Sequence, residues 1–266
     1  MGKLILTLSL CLTCFVVAAN ERLVTIDGAV TEIAIALGSQ ENIVGRDSTS
    51  LYPASIQVLP DVGYLRALSV EGVLSLKPSM ILTTTDAGPI ETLDTLKKMG
   101  VDMHILENTY SVNGVLDKIK QVGRILNKDT QAIALIKKIQ TNVDKIEIAQ
   151  NNPSVLFVMG GGDRGFMAGG QHTRADAMIN IAGGKNAMAS IVGYKPITPE
   201  AMLTINPDVI FLLRSSQSAD QFSQNFSIKN TKAAKNNKIF DISDLDLLTF
   251  GPRIDESIKT MVELIK

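Results

Sequence analysis

The sequence predicts an α/β protein of two similar lobes bridged by a helical segment. Three features carry this reading. Strand and helix patterns alternate on both sides of residues 111–148, that middle stretch is helical with a single break, and one helix–proline–strand phrase occurs in each half. Alternating buried strands and amphipathic helices are the pattern of a parallel α/β sheet.

The chain opens "MGKLILTLSLCLTCFVVAAN", one lysine before an apolar run that ends in Val17, Ala18 and Ala19. That is the layout of a secretory signal peptide over residues 1–19, too short for a stable membrane span. Cys11 and Cys14 are the only cysteines and both lie in this leader. Leu10 and Thr13, which precede them, poorly match the small residue that a lipid-modified cysteine requires. Cleavage after Ala19 would leave no cysteine, which excludes disulfides, thiolate metal sites and thiol catalysis in the product. It also removes one lysine, moving the formal charge from -1 to -2. No basic excess points to nucleic acid. The expected product is a soluble exported protein.

Residues 20–110 form the first predicted lobe. "LVTIDG" reads as a strand, "AVTEIAIALG" as a helix stopped by Gly38, and "NIVGRD" as a strand. "SVEGVLSLKP" is a helix ending before Pro78, followed by the strand "SMILTT", the helix "GPIETLDTLKKMG" and the strand "VDMHILE". Residues 111–150 are the connector, with Asn127–Lys128 as the expected break and Leu116, Ile119, Val122, Ile125 and Leu126 on one face. Unbroken, it would run about 55 Å at ~1.5 Å per residue.

Residues 151–266 form the second predicted lobe. Its elements are the strand "SVLFVMGG", the helices "TRADAMINIAGG" and "TPEAMLTINP", and the strands "DVIFLLR" and "KIFDIS". The closing helix is "GPRIDESIKTMVELIK", with Pro252 suited to its first turn. Residues 215–235 read as a polar loop with one short helix. "SVEGVLSLKPSMILTT" and "TPEAMLTINPDVIFLL" match in register: Ser69 and Thr198 as N-caps, Glu71 and Glu200 two residues on, then Pro78 and Pro207. This echo is what suggests two similar lobes.

Enzyme signatures are missing. There is no G-x-S-x-G, P-loop or H-E-x-x-H, and "GGGDRG" at 160–165 lacks the order of a dinucleotide fingerprint. His104 falls in a strand pattern and His172 at a loop end. Glu71 and Glu200 have two readings, either carboxylates that favour a helix N-terminus or one charged mark per lobe for a partner's arginines. Tyr64, one of four tyrosines, also has two. Its ring packs at the start of a helix, or its phenolate serves ferric iron, for which tyrosine is a suitable axial donor. Free tyrosine titrates near pH 10, and a nearby cation favours its anion. In an extended segment Arg66 would point to the same side as Tyr64.

With these residues in view, the sequence resembles the haem-binding periplasmic proteins of bacterial haem-uptake ABC transporters. The resemblance covers essentially the whole chain after the leader. Its landmarks are "TIDGAVTEIAIALG", "GRDSTSLYP", "LPDVGYLRALSVEGVLSLKP", "VLFVMGGG", "MAGGQHTRADAMINIAGGKNAM", "GYKPITPEAM" and "LLTFGPR", of which "GYLRALSVEG" is the most specific. It implies two Rossmann-like α/β lobes joined by a long backbone helix. It also implies haem as the transported ligand, an inner-membrane ABC permease as partner, and an outer-membrane haem receptor system upstream. On this resemblance Tyr64 is the axial iron ligand. Arg66, Tyr194 and Arg253 are haem contacts, and Glu71 and Glu200 dock to the permease. Some relatives carry a histidine ligand after "VLFVM"; here that position is Gly161, so Tyr64 alone is the simpler ligand set and His172 a substitute. The runner-up ligand is a ferric siderophore or cobalamin, bound by the same architecture. An enzyme is not expected.

Overall fold

Strand β1 (Leu23–Thr25) pairs in parallel with β2 (Ile43–Arg46) and with β3 (Met80–Thr84), and β3 pairs in parallel with β4 (Asp102–Leu106). The resulting order is β2-β1-β3-β4. The computed structural model describes residues 21–148, 151–160, 165–213, 218–243 and 249–266. The leader and Gly161 lie outside these. Helices α1 (Gly28–Ala36), α2 (Val70–Leu74) and α3 (Ile90–Lys98) fall where the apolar spacing predicts them.

A second sheet is ordered β10-β9-β5-β6-β8, from β5 (Ser154–Gly160), β6 (Phe166–Gly169), β8 (Tyr194–Ile197), β9 (Val209–Leu213) and β10 (Ile239–Ile242). The short β7 (Lys185–Asn186) also pairs with β5. This sheet is mixed, because β6 runs antiparallel to both β5 and β8. The sequence pattern did not show β6 or β8. Both are four residues long, and Pro196 within β8 is tolerated because β8 is an edge strand. Helices α6 (Arg174–Ile181) and α7 (Pro199–Ile205) flank it.

The repeated phrase has the same geometry in both lobes. Ser69 Oγ accepts from Gly72 N at 2.9 Å and Thr198 Oγ1 from Ala201 N at 3.3 Å. After each helix comes one left-handed residue, Lys77 at φ 47° and Asn206 at φ 50°, just before Pro78 and Pro207. Each phrase then feeds a parallel strand, β3 or β9.

The connector is two helices, α4 (Val112–Ile125) and α5 (Asp129–Val143). The break sits where expected, with Asn127 at φ 54°, so no single 55 Å rod forms. Gly123 permits the bend: a Cβ there would lie 2.5 Å from Ala132 Cβ. Helix α4 buries Val115, Ile119 and Val122, and α5 buries Ala132 and Ile139. These belong to one apolar core that reaches Ile33 of α1, Ile179 of α6 and Ile258 of α11 (Ile254–Ile265), so the lobes share it.

Two local expectations change. The N-cap of α11 is Arg253, which puts Pro252 one residue outside the helix rather than in its first turn. Among the described residues of 215–235 there are three short helices, α8 (Ala219–Ser223), α9 (Phe226–Lys229) and α10 (Lys232–Lys235). Ser218, Asn225 and Thr231 each cap one by accepting a backbone N–H. Successive capping residues thus cut into three what hydropathy alone reads as loop.

Candidate functional site

The loop between β2 and α2 is pinned at several points. Asp61 accepts from Ser48 Oγ at 3.0 Å and from Gly63 N at 2.8 Å, and Arg46 pairs with it at 3.3 Å. Gly63 takes φ 101°, which favours glycine. The carbonyl of Tyr64 then accepts from Ala67 N at 2.7 Å, closing a turn. The extended geometry expected at Tyr64 and Arg66 is therefore replaced by a turn. Leu65 between them is buried and its carbonyl accepts from Gly88 N, so the residues on either side face out. Tyr64 is 48% exposed, and no described residue hydrogen-bonds its hydroxyl.

These two side chains line a cleft of about 270 Å³ between the lobes. From the first lobe come Thr49, Tyr64, Arg66 and Tyr110; from the second come Phe157, His172, Arg174 and Tyr194. Tyr194 opens β8 on the edge of the second sheet, its ring 6.3 Å from that of Phe157. His172 has φ 62°, a strained backbone for a non-glycine residue, just before the α6 cap Thr173. His104 lies elsewhere, 3.2 Å from Asp102 on β4. A second cavity of about 240 Å³ shares Thr49 and Arg174 with the first, so the crevice continues past them. Larger grooves of about 580 Å³ lie against α5, lined mainly by lysines and carboxylates or by one face of the connector, without converging aromatic groups.

Below the cleft is a polar network that sequence reasoning missed. Arg174 reaches across from α6 to Asp86 Oδ2 at 3.0 Å and Asp27 Oδ2 at 3.4 Å, and its guanidinium lies 5.3 Å from the Tyr110 ring centre. Tyr110 donates to Asp86 at 2.8 Å. Asn108 donates to Asp86 at 2.8 Å and to Asp27 at 3.1 Å, and buried Lys118 donates to Asn108. Burial alone would raise the Asp86 carboxyl, but hydrogen bonds from Tyr110 and Arg174 and the arginine's charge hold it below the ordinary range. Burial pushes Lys118 down despite Asp27 nearby. Asp27 itself caps α1, accepting from Ala29 N at 2.9 Å, with φ 98°. The only local signal is Asp27 itself, an aspartate between a strand and a helix. Nothing local links it to Arg174, 147 residues away.

Arg253 is placed otherwise than expected. It does not line the cleft; Nε and Nη2 each donate to Glu32 of α1 at 2.8 Å, and it stacks 4.0 Å over Tyr52. Burial raises the Glu32 carboxyl despite that arginine. Glu71 and Glu200 sit in the first turns of α2 and α7, both exposed. The backbone N–H of Glu200, Thr198 and Ser227 lower its carboxyl. Among the described residues no group of three or more His, Cys, Asp or Glu could hold a metal, and no helix is long and apolar enough to cross a membrane.

The periplasmic binding protein family model matches residues 23–245. Among solved structures, the periplasmic heme-binding protein BhuT, in complex with two hemes, is 33% identical with TM-score 0.85, over 92% of this chain and 97% of that one. RhuT from Roseiflexus sp. RS-1, a periplasmic heme-binding protein in apo form, is 32% identical with TM-score 0.85, over 93% and 100%. Among curated relatives, the Bacillus subtilis ABC transporter substrate-binding lipoprotein YvrC is 26% identical over 92% of this chain and 80% of its own. The vitamin B12-binding protein of Yersinia pestis is 27% identical over 77% and 74%.

Proposed function

This chain belongs to the periplasmic binding protein family, and we propose that it captures haem between its lobes and delivers it to an inner-membrane ABC permease. The observation that carries the proposal is the exposed phenol of Tyr64, which no described residue hydrogen-bonds, in the interlobe cleft with Arg66 on the same turn and Tyr194 opposite. A phenolate is a hard anionic donor that suits ferric iron. Arg66 supplies a cation for the phenolate or a propionate, and Tyr194 and Phe157 supply aromatic surface for the macrocycle. The protein binds and releases its ligand unchanged, so no turnover of haem is expected. Export through the leader puts it in the periplasm.

Titrating the purified protein with hemin tests this. A saturable Soret band with a phenolate-to-iron charge-transfer band supports it. The cobalamin-binding relative favours a second reading with cobalamin as ligand, and saturable cobalamin binding without hemin binding would select that reading.

Arg66→Ala is expected to weaken hemin binding by roughly ten- to a hundredfold, the equivalent of one charge-assisted hydrogen bond of about 1.5–3 kcal/mol. The hemin titration measures it, and wild-type affinity would place the guanidinium outside the site.

Glu71 and Glu200 occupy the same position in matched helices, one per lobe, and serve as docking charges for arginines on two permease subunits. Either alanine variant should reduce haem transport into permease vesicles, and the double variant should reduce it further. Hemin affinity should hold, since neither residue lines the cleft. Normal transport by the double variant would return both to helix capping.

A further inference from the structure

We propose that each docking carboxylate has an apolar anchor beside it, Ile90 next to Glu71 and Phe226 next to Glu200, and that both anchors seat in hydrophobic pockets of the permease. This rests on the docking reading given above for the two glutamates.

The two lobes build the arrangement in the same way. Each glutamate is the second residue of its helix, after the caps Ser69 and Thr198. Each anchor is the first residue of a helix that starts alongside, after the caps Pro89 and Asn225. In the first lobe, the segment before α3 is tied to the segment before α2: Leu68 N donates to Gly88 O at 3.0 Å and Thr92 Oγ1 to Leu68 O at 3.3 Å. In the second lobe, Ser227 donates to Glu200 Oε1 at 3.4 Å, so the residue preceding it is held next to that carboxylate.

Both anchors are out of place as monomer surface. Ile90 is 67% exposed and Phe226 72%. A single exposed apolar residue needs no explanation. Two large ones, each opening a helix that is tied to the start or the glutamate of a matched helix, do. The Lys229 ammonium lies 5.0 Å from the Phe226 ring centre and covers one face of it. The partner that fits is a two-subunit membrane complex offering one cation and one apolar pocket per subunit. Interfaces of this kind concentrate their affinity in a few large side chains that fill pockets, with charges at the rim setting orientation and on-rate.

The test compares Ile90→Ser, Phe226→Ser and the double variant with Glu71→Ala/Glu200→Ala. Ile133→Ser on α5 is the control, since Ile133 is also 67% exposed but lies on the connector. Association with phospholipid vesicles carrying the haem-importing ABC permease is measured, beside hemin titration and thermal unfolding. Each anchor variant should weaken association by at least about tenfold, the range of an interface hot spot, with hemin affinity and melting unchanged. The control should bind as wild type. The loss should persist at high salt, where the glutamate contribution is screened. Normal association of the anchor double variant, with the glutamate double variant impaired, overturns the anchors and leaves the docking charges standing. If neither pair matters to vesicles that still import haem, the docking face lies elsewhere and both fall. If the wild type binds no hemin, the haem reading fails, while vesicle association still reports on the anchors.

Discussion

Tyr64→Phe is expected to abolish the ferric phenolate charge-transfer band of the hemin complex and to weaken hemin binding by more than about a hundredfold. Losing a group that merely supports a metal ligand costs about 10–100-fold, and losing the ligand atom should exceed that. The substitution keeps the ring and removes one oxygen, which separates coordination from stacking. It should leave the fold intact, because the side chain is 48% exposed and no described residue hydrogen-bonds its hydroxyl. Absorption titration of Tyr64→Phe, Tyr194→Phe and His172→Ala side by side assigns the ligand, since all three residues line the cleft. An unchanged spectrum for Tyr64→Phe, with the band lost in Tyr194→Phe, would move the iron to the second lobe. A wild-type complex without the phenolate band, with its spectrum altered only in His172→Ala, would make the strained histidine the ligand.

The parts of this site that could be read from the sequence are those encoded locally. The repeated Ser/Thr–x–Glu caps, the proline after each helix and the apolar strands that follow sit within sixteen residues of one another, and the structure repeats the cap bond and the left-handed residue before each proline. Tyr64 and Arg66 were legible as a pair, but the reason they share a face was not. Alternation along a strand would place them together, whereas a turn around buried Leu65 does so in fact. Arg253 illustrates the opposite failure. Only the resemblance placed it at the haem, and its partner is Glu32, 221 residues away on α1. The antiparallel strands β6 and β8 were hidden because runs of only four residues, one of them interrupted by proline, carry little period-two signal. Contacts between distant segments are set by packing, and no spacing rule reports them.

Arg174 is the strongest case of such a distant contact, and its removal should have the largest effect on the fold itself. It ties α6 of the second lobe to Asp27 and Asp86 of the first, with Asp27 only 2% exposed. Arg174→Met keeps most of the side-chain volume and removes the charge. Two carboxylates then remain, largely buried, and breaking one side of such a cluster costs about 3–5 kcal/mol. For a chain of this size that lowers the melting temperature by roughly 6–20 °C. The pH dependence identifies the cause. Asp86 has a depressed carboxyl in the folded protein, despite burial, because Tyr110 and Arg174 hydrogen-bond it and the arginine's charge stands beside it. Its contribution is therefore present above about pH 4, where a free aspartate ionises, and is lost as pH falls through the lower folded value. In Arg174→Met, burial is left with less to oppose it, so protonating Asp86 relieves the protein instead of harming it. The gap between wild type and variant, measured by denaturant unfolding from pH 7 down to pH 3, should narrow toward acid. Adding Asp86→Asn to Arg174→Met should recover part of the loss, because the two residues share one network. A gap that stays constant over that range, with no recovery in the double variant, would mean that Arg174 stabilises the lobes through its packing on Tyr110 rather than through the aspartates.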